Sequence, residues 1–399
     1  MQNLAEEFVF NLCKNTFLSL WSYTNPLGKN NKELCDILVV CDPDIIIFSV
    51  KEIKVTQSKD VIVDWERWNR RAIKKSSKQL DGAERWIKST SFVIRRDGTT
   101  GLPFPNKDIQ KIHKVVVALG SEDKIPMFYG DFGKGFVHVF DEQSFSIIAQ
   151  ELDTITDFIE YLASKEDFYS SAKTPLLSGE ENLLALYLHK GRKFPKNIDS
   201  VILENNLWEN LIKKPEYLRK KEEDRISYLW DGLIEDISNY VMENKLEFRS
   251  TNGDGEKILR VMANESRFTR RILSKNFAGF ISLSSKNILR ARISPSPSGI
   301  LYVFLALAHN AEKKYRRSEL GTRCFVARGI NQEYKTVIGI GMEQYKPGAG
   351  HSFYLCYLHK PEWNNEDQVC LKGIQNDCGF FVDSVRNQLH EDEYPMEKT

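Results

Sequence analysis

The stretch KELCDILVVCDPDIIIFSVKEIKV, residues 32–55, constrains the fold more than any other part of the chain. Two strand-like apolar runs stand back to back, joined by a tight DPD turn, which predicts strands over 33–41 and 44–51. Helical patterns flank the pair. Residues 3–21 read as an amphipathic helix ended by TNPLGKNN, and 65–88 carry Ile73, Ser76, Leu80, Ala83 and Ile87 on one face. KIHKVVVALG and GFVHVF read as two further strands, with GDFGKGF as a hairpin turn. DTITDFIEYLASKED reads as a helix capped by Asp153 or Thr154. The order α-β-β-α-β-β-α predicts an α/β domain over residues 1–165.

A polar stretch, SKEDFYSSAKTPLLSGEEN, separates this from a second α/β or α+β domain at 180–399. There RKKEEDRISYLWDGLIEDISNYVMEN reads as one long amphipathic helix, and MANESRFTRRILSKNF as another. GILYVFLALAHNAEKKYRRSEL is either a strand passing into a helix or one helix throughout. TRCFVARGI, KTVIGIGME and SFYLCYLH read as strands. With a net charge of +1, no global field draws the chain to nucleic acid or membrane, so any such affinity is local. No apolar run approaches the roughly 20 residues of a membrane span. Seven scattered cysteines argue against a disulfide scaffold. A reduced, cytoplasmic protein is the expectation.

The polar residues within the hairpin carry the chemistry. Asp36 interrupts the first run and Lys51 closes the second, with Ser49 on the same strand face as Lys51. A carboxylate and a lysine at neighbouring strand ends suit metal-dependent phosphodiester cleavage: the carboxylate holds Mg²⁺ and the lysine stabilises developing negative charge. In these residues the chain resembles the PD-(D/E)XK, or restriction-endonuclease-like, nuclease superfamily. The resemblance covers residues 1–165 and implies a mixed sheet flanked by helices, Mg²⁺ or Mn²⁺ as cofactor, and hydrolysis of DNA or RNA.

The superfamily usually carries an acid two residues before the lysine, where this chain has Ser49. Three other carboxylates are candidates to stand in. Glu6, with Glu7 behind it, lies on the first helix. Glu33 precedes Asp36, although strand alternation turns it to the opposite face, and Glu52 should point away from Lys51. Glu6 is preferred, giving Asp36 and Glu6 as metal ligands. Asp36 itself is expected as an exposed strand-end carboxylate.

The helix at 65–88 holds eight Lys or Arg against three acids. Arg67, Arg70, Arg71, Lys74, Lys75 and Lys78 form a basic face suited to phosphates, DNA ahead of RNA. Gln79 borders the apolar stripe and can reach inward, as superfamily members place a glutamine there. Gly82 suggests close packing on the sheet, because glycine inside a helix otherwise costs about 1 kcal/mol.

In the second half GIQNDCGFF resembles the nucleophile segment of ubiquitin-like-protein cysteine proteases, with Cys378 as nucleophile, Gln375 in the oxyanion hole and His351 as base. Only 27 positions separate His351 from Cys378, and a buried structural cysteine before a glycine turn is the plainer account. Cysteine and histidine spacings there fit no zinc pattern. The remaining expectations are a partner-binding, oligomerising or sensing second domain, and by analogy a place in antiphage defence. A catalytically degenerate nucleic-acid or partner binder is the alternative to an active nuclease.

Overall fold

The computed structural model describes residues 4–54, 60–120, 130–132, 134–171, 179–196, 203, 205–242, 254–286, 290–307, 312–343, 353–384 and 391–395. The chain forms two compact units, Met1–Lys214 and Pro215–Thr399. They divide later in the chain than the polar stretch at 164–182.

The first unit opens with α1 (Leu4–Phe17) and a short strand, β1 (Ser22–Thr24). The expected hairpin follows as β2 (Ile37–Cys41) and β3 (Asp44–Glu52), antiparallel with Cys41 opposite Asp44. A long helical stretch then runs as α2 (Val61–Trp68), a π-helical turn (Asn69–Lys74) and α3 (Lys75–Ile87). A small ribbon of β4 (Phe92–Ile94) and β5 (Thr100–Pro103) precedes β6 (Lys111–Leu119), β7 (Gly130–Asp131) and β8 (Phe136–Phe140). The main sheet has the order β1-β2-β3-β6-β8-β7, and β3, β6 and β8 run parallel. GDFGKGF does turn back as the β7–β8 pair.

Helices cover both faces of this sheet, which is why its central strands are mostly apolar. On one face Ile45 and Ile47 pack with Ile73, Leu80, Ala83 and Ile87. On the other Phe48 meets Phe17 of α1 and Phe145 of α4 (Glu142–Glu151), and Phe17 meets Phe158 of α5 (Ile155–Ser171). Thr154 rather than Asp153 caps α5, its hydroxyl accepting from the Asp157 N–H at 3.1 Å. The unit ends with α6 (Glu180–His189) and α7 (Leu207–Ile212).

The second unit begins with α8 (Pro215–Asp224) and α9 (Tyr228–Met242), separated by a 3₁₀ turn at Arg225–Ser227. The single long helix read there from sequence is therefore broken. α10 (Asp254–Ala263) and α11 (Arg267–Ser285) likewise split the next helical reading, because Ser266 caps a new helix. A four-stranded sheet follows: β9 (Ala291–Pro295), β10 (Ile300–Leu307), β11 (Thr336–Glu343) and β12 (Phe353–His359), ordered β12-β11-β10-β9. β10 and β11 are parallel, bridged by α12 (Lys313–Ile330), and α13 (Asn365–Cys378) comes last.

TRCFVARGI, expected as a strand, lies within α12. Leu320, Cys324 and Ala327, spaced four and three apart, face the sheet residues Leu301, Val303 and Leu305. That burial overrides the strand preference of the local composition. Trp230, Phe277 and Phe280 pack on Tyr302 and Phe304 from the opposite face.

Candidate functional site

Asp36 sits immediately before β2 and is fastened to both neighbours. Its N–H donates to the Phe48 carbonyl at 3.2 Å, and its carbonyl accepts from Asn25 N–H at 2.9 Å. The Asp36 Oδ2 atom accepts the Val50 N–H at 2.5 Å and lies 3.7 Å from Lys51 Nζ. The two residues singled out from sequence therefore meet. Asp36 is not the exposed strand-end carboxylate expected, however, being only 3% exposed. Truncation to Ala would leave the buried Val50 N–H without an acceptor, a cost of about 1–3 kcal/mol.

Glu33 is the carboxylate that joins them. Its carboxyl lies beside that of Asp36 and the Asn25 side chain. Partial burial of that end, then the Asp36 carboxylate, pushes Glu33 up; Glu6 adds to the push and Asn25 opposes it. The parity argument against Glu33 fails because β2 starts only at Ile37. Glu33 instead makes an isolated bridge with Leu27, so strand alternation does not run through 33–36. Glu6 is half-buried, whereas Glu7 and Glu52 are exposed. Asn25, missed in the sequence, precedes Pro26 and holds a left-handed φ of 44°. The Asn-Pro dipeptide was the available signal.

Ser49 is fully buried, and its hydroxyl donates to Gln79 Oε1 at 3.5 Å, so Gln79 does reach inward from α3. Gly82 is not explained by packing: a Cβ there would meet only the Arg85 guanidinium, at 3.9 Å.

Arg67, Arg70, Arg71, Lys74, Lys75 and Lys78 are all exposed, and no ion pair engages any of them among the described residues. They form two columns at steps of four, 67-71-75 and 70-74-78. The buried face follows the same step: Asp64, Trp68, Ala72, Ser76 and Leu80, beside Asn69, Ile73, Ser77 and Asp81. An α-helix returns every 3.6 residues, so a four-step column drifts about 40° per step. The wider π turn at Asn69–Lys74 offsets that drift and keeps both faces aligned.

At the other end of β3 a second polar group forms. His113 on β6 bonds Asp44 Oδ1 at 3.1 Å, and His138 on β8 bonds Glu166 Oε1 on α5 at 2.9 Å. Burial acts to lower His113, but its bonds to Asp44 and Glu166 outweigh this and raise it. Burial brings His138 down to about 4. Burial also acts to raise Glu166, yet the two imidazoles bring it down to about 2.

In the second unit Cys378 ends α13 and is exposed, not buried, with Gly379 as the left-handed cap. Gln375 donates to the Phe380 carbonyl at 3.4 Å, and His351 lies outside the described residues. Among the described residues no group of three or more His, Cys, Asp or Glu side chains is arranged to hold a metal ion, and no helix is long and apolar enough to cross a membrane. No protein-family model matches the chain, and no curated protein sequence matches it.

Proposed function

We propose that the first unit is a restriction-endonuclease-like nuclease that hydrolyses phosphodiester bonds with Mg²⁺ or Mn²⁺, DNA ahead of RNA as substrate. The observation that carries this reading is the meeting of Asp36 and Lys51 at 3.7 Å from the ends of adjacent antiparallel strands. The flanking sheet supports it: β3 passes through a helix to the parallel β6, and α3 brings Gln79 onto Ser49.

Mg²⁺ is commonly bound through one or two protein carboxylates plus water and phosphate oxygens, so a dedicated three-ligand cage is not required. Glu33 and Asp36 form such a pair, with Glu6 adding to the negative field. Glu33 thus takes the part left open by Ser49, ahead of Glu6. Bound there, the ion would supply electrophilic polarisation of a phosphoryl oxygen. Lys51, held beside Asp36 yet 29% exposed, offers its ammonium to charge developing on the phosphate. Gln79, through Ser49, fixes the helix against β3. The six exposed cations hold the backbone of the substrate.

The second reading, a degenerate binder, draws on Ser49 in place of an acid. One experiment separates the two. Asp36→Asn retains an acceptor for Val50 N–H while removing the charge, and should abolish cleavage by folded protein. Cleavage that survives sinks the nuclease assignment. Binding to a DNA oligomer with no cleavage by wild type in Mg²⁺ or Mn²⁺ establishes the degenerate reading. In the same samples, Arg71→Ala with Lys74→Ala should reduce the slope of log affinity against log salt by about 1.5. No observation in the second unit favours a cysteine hydrolase. We assign that unit to a protein partner or a second copy, in a cytoplasmic antiphage role.

A further inference from the structure

Cys324 on α12 and Cys356 on β12 lie far apart in sequence, but the fold brings their side chains together. Cys324, fully buried, and Cys356, half-buried, pack into one core cluster on either side of Gly339. Gly339 on β11 makes this meeting feasible. It stands opposite Cys356 in the β11–β12 register, and a Cβ at that position would lie 2.6 Å from Cys324 Sγ and 3.0 Å from Cys356 Cβ. Any larger residue would press on the Cys324 sulfur and the Cys356 side chain. Of the other cysteines, Cys13, Cys35 and Cys41 are buried, while Cys370 and Cys378 are exposed on α13.

We propose that Cys324 and Cys356 are a redox pair that closes to an intramolecular disulfide, cross-linking α12 to β12 in the second unit. The co-reactant is a low-molecular-weight disulfide of the glutathione class. The half-exposed Cys356, as thiolate, attacks one sulfur of the small disulfide, forming a mixed disulfide and releasing one small thiolate. Cys324 then gives up its proton and attacks Cys356 Sγ, expelling the second small thiol. Two protein thiols are oxidised, one small disulfide is reduced to two thiols, and the two protons leave with them. Contact with the Cys324 thiol holds Cys356 below the usual thiol range, while the same contact and burial hold Cys324 above it. This ordering suits Cys356 as the attacking sulfur and Cys324 as the resolving one. The link would tie the helix that crosses from β10 to β11 to the edge strand of the sheet, restricting the motion of the second unit while leaving the Asp36–Lys51 site untouched.

The test uses the full native chain incubated with oxidised glutathione, acid-quenched, alkylated and mapped by peptide mass spectrometry without reduction. The expected product is a Cys324–Cys356 linked peptide two hydrogens lighter than the sum of its parts, abolished by dithiothreitol. Oxidised wild type should also melt at a higher temperature than reduced wild type. Replacing Cys370→Ser and Cys378→Ser together should leave the link intact, and Cys356→Ser should leave Cys324 unmodified. Glutathionylation of Cys370 and Cys378 while Cys324 and Cys356 stay free would overturn the proposal. A link that forms only after the chain is unfolded by urea would overturn it equally.

Discussion

The two units share a local plan and differ in the charge around their strand ends, although the first unit too has buried ion pairs such as Lys114–Asp81 and Lys165–Glu180. In the first, the β2–β3 hairpin crosses through α2 and α3 to the parallel β6; in the second, the β9–β10 hairpin crosses through α12 to the parallel β11. In the second unit charge is matched within the chain. Arg316 pairs with Glu343, Arg323 pairs with Glu319 at 2.8 Å, and Asp231 takes both Arg267 and Arg270. The Arg323 guanidinium also lies 3.9 Å over the Phe380 ring. In the first unit the corresponding strand ends carry the Glu33–Asp36 carboxyl pair and a partly exposed lysine, beside a helix with six exposed cations that have no ion-pair partner among the described residues. Matched charge serves a fold, and unmatched charge close to the surface is what a ligand can use.

The sharpest way to break that contrast is Lys51→Ala. If the first unit keeps its charge for chemistry, single-turnover cleavage should fall by roughly 10²–10³-fold while affinity for the same oligomer changes little. A loss seen in affinity alone would place Lys51 among the binding residues. Arg316→Ala should do the reverse. Removing one partner of a largely buried pair should cost about 3 kcal/mol of stability, read as a lower urea midpoint, with the cleavage rate of the folded fraction unchanged.

A subtler effect belongs to the group at the opposite end of β3. Glu166 is lowered to about 2 in the folded chain, so its contribution is present above the ordinary carboxyl range and lost as pH falls through about 2. Glu166→Gln should therefore lower the urea midpoint at pH 7 and less so at pH 3. A gap between variant and wild type that stays constant with pH would mean that the ionised form is not what matters.

The hairpin and the buried face of the long helix were readable from sequence because they rest on local pattern. Two apolar runs around DPD permit little else, and Ile73, Ser76, Leu80, Ala83 and Ile87 are all buried as their spacing implies. What failed depended on distant partners. TRCFVARGI has strand-like composition, yet it is helical because Cys324 and Ala327 must meet β10 and β11. Glu33 was set aside on strand parity, a rule that holds only inside a regular strand, whereas β2 begins four residues later. The buried state of Asp36 depends on Val50, fourteen positions away, and no local pattern reports it.

The π turn has one more consequence, a metric one. With its cations in two aligned columns, the span from Arg67 to Lys78 covers eleven helical steps, about 16 Å at 1.5 Å each. One strand of duplex DNA advances about 3.4 Å per nucleotide, so on the proposed nuclease reading this ruler would match about five phosphates. Gln79, next to Lys78, touches the strand that carries Ser49 and Lys51. The footprint would then lie to one side of the cut, and oligomers shorter than about five nucleotides on that side would lose grip before they lose chemistry.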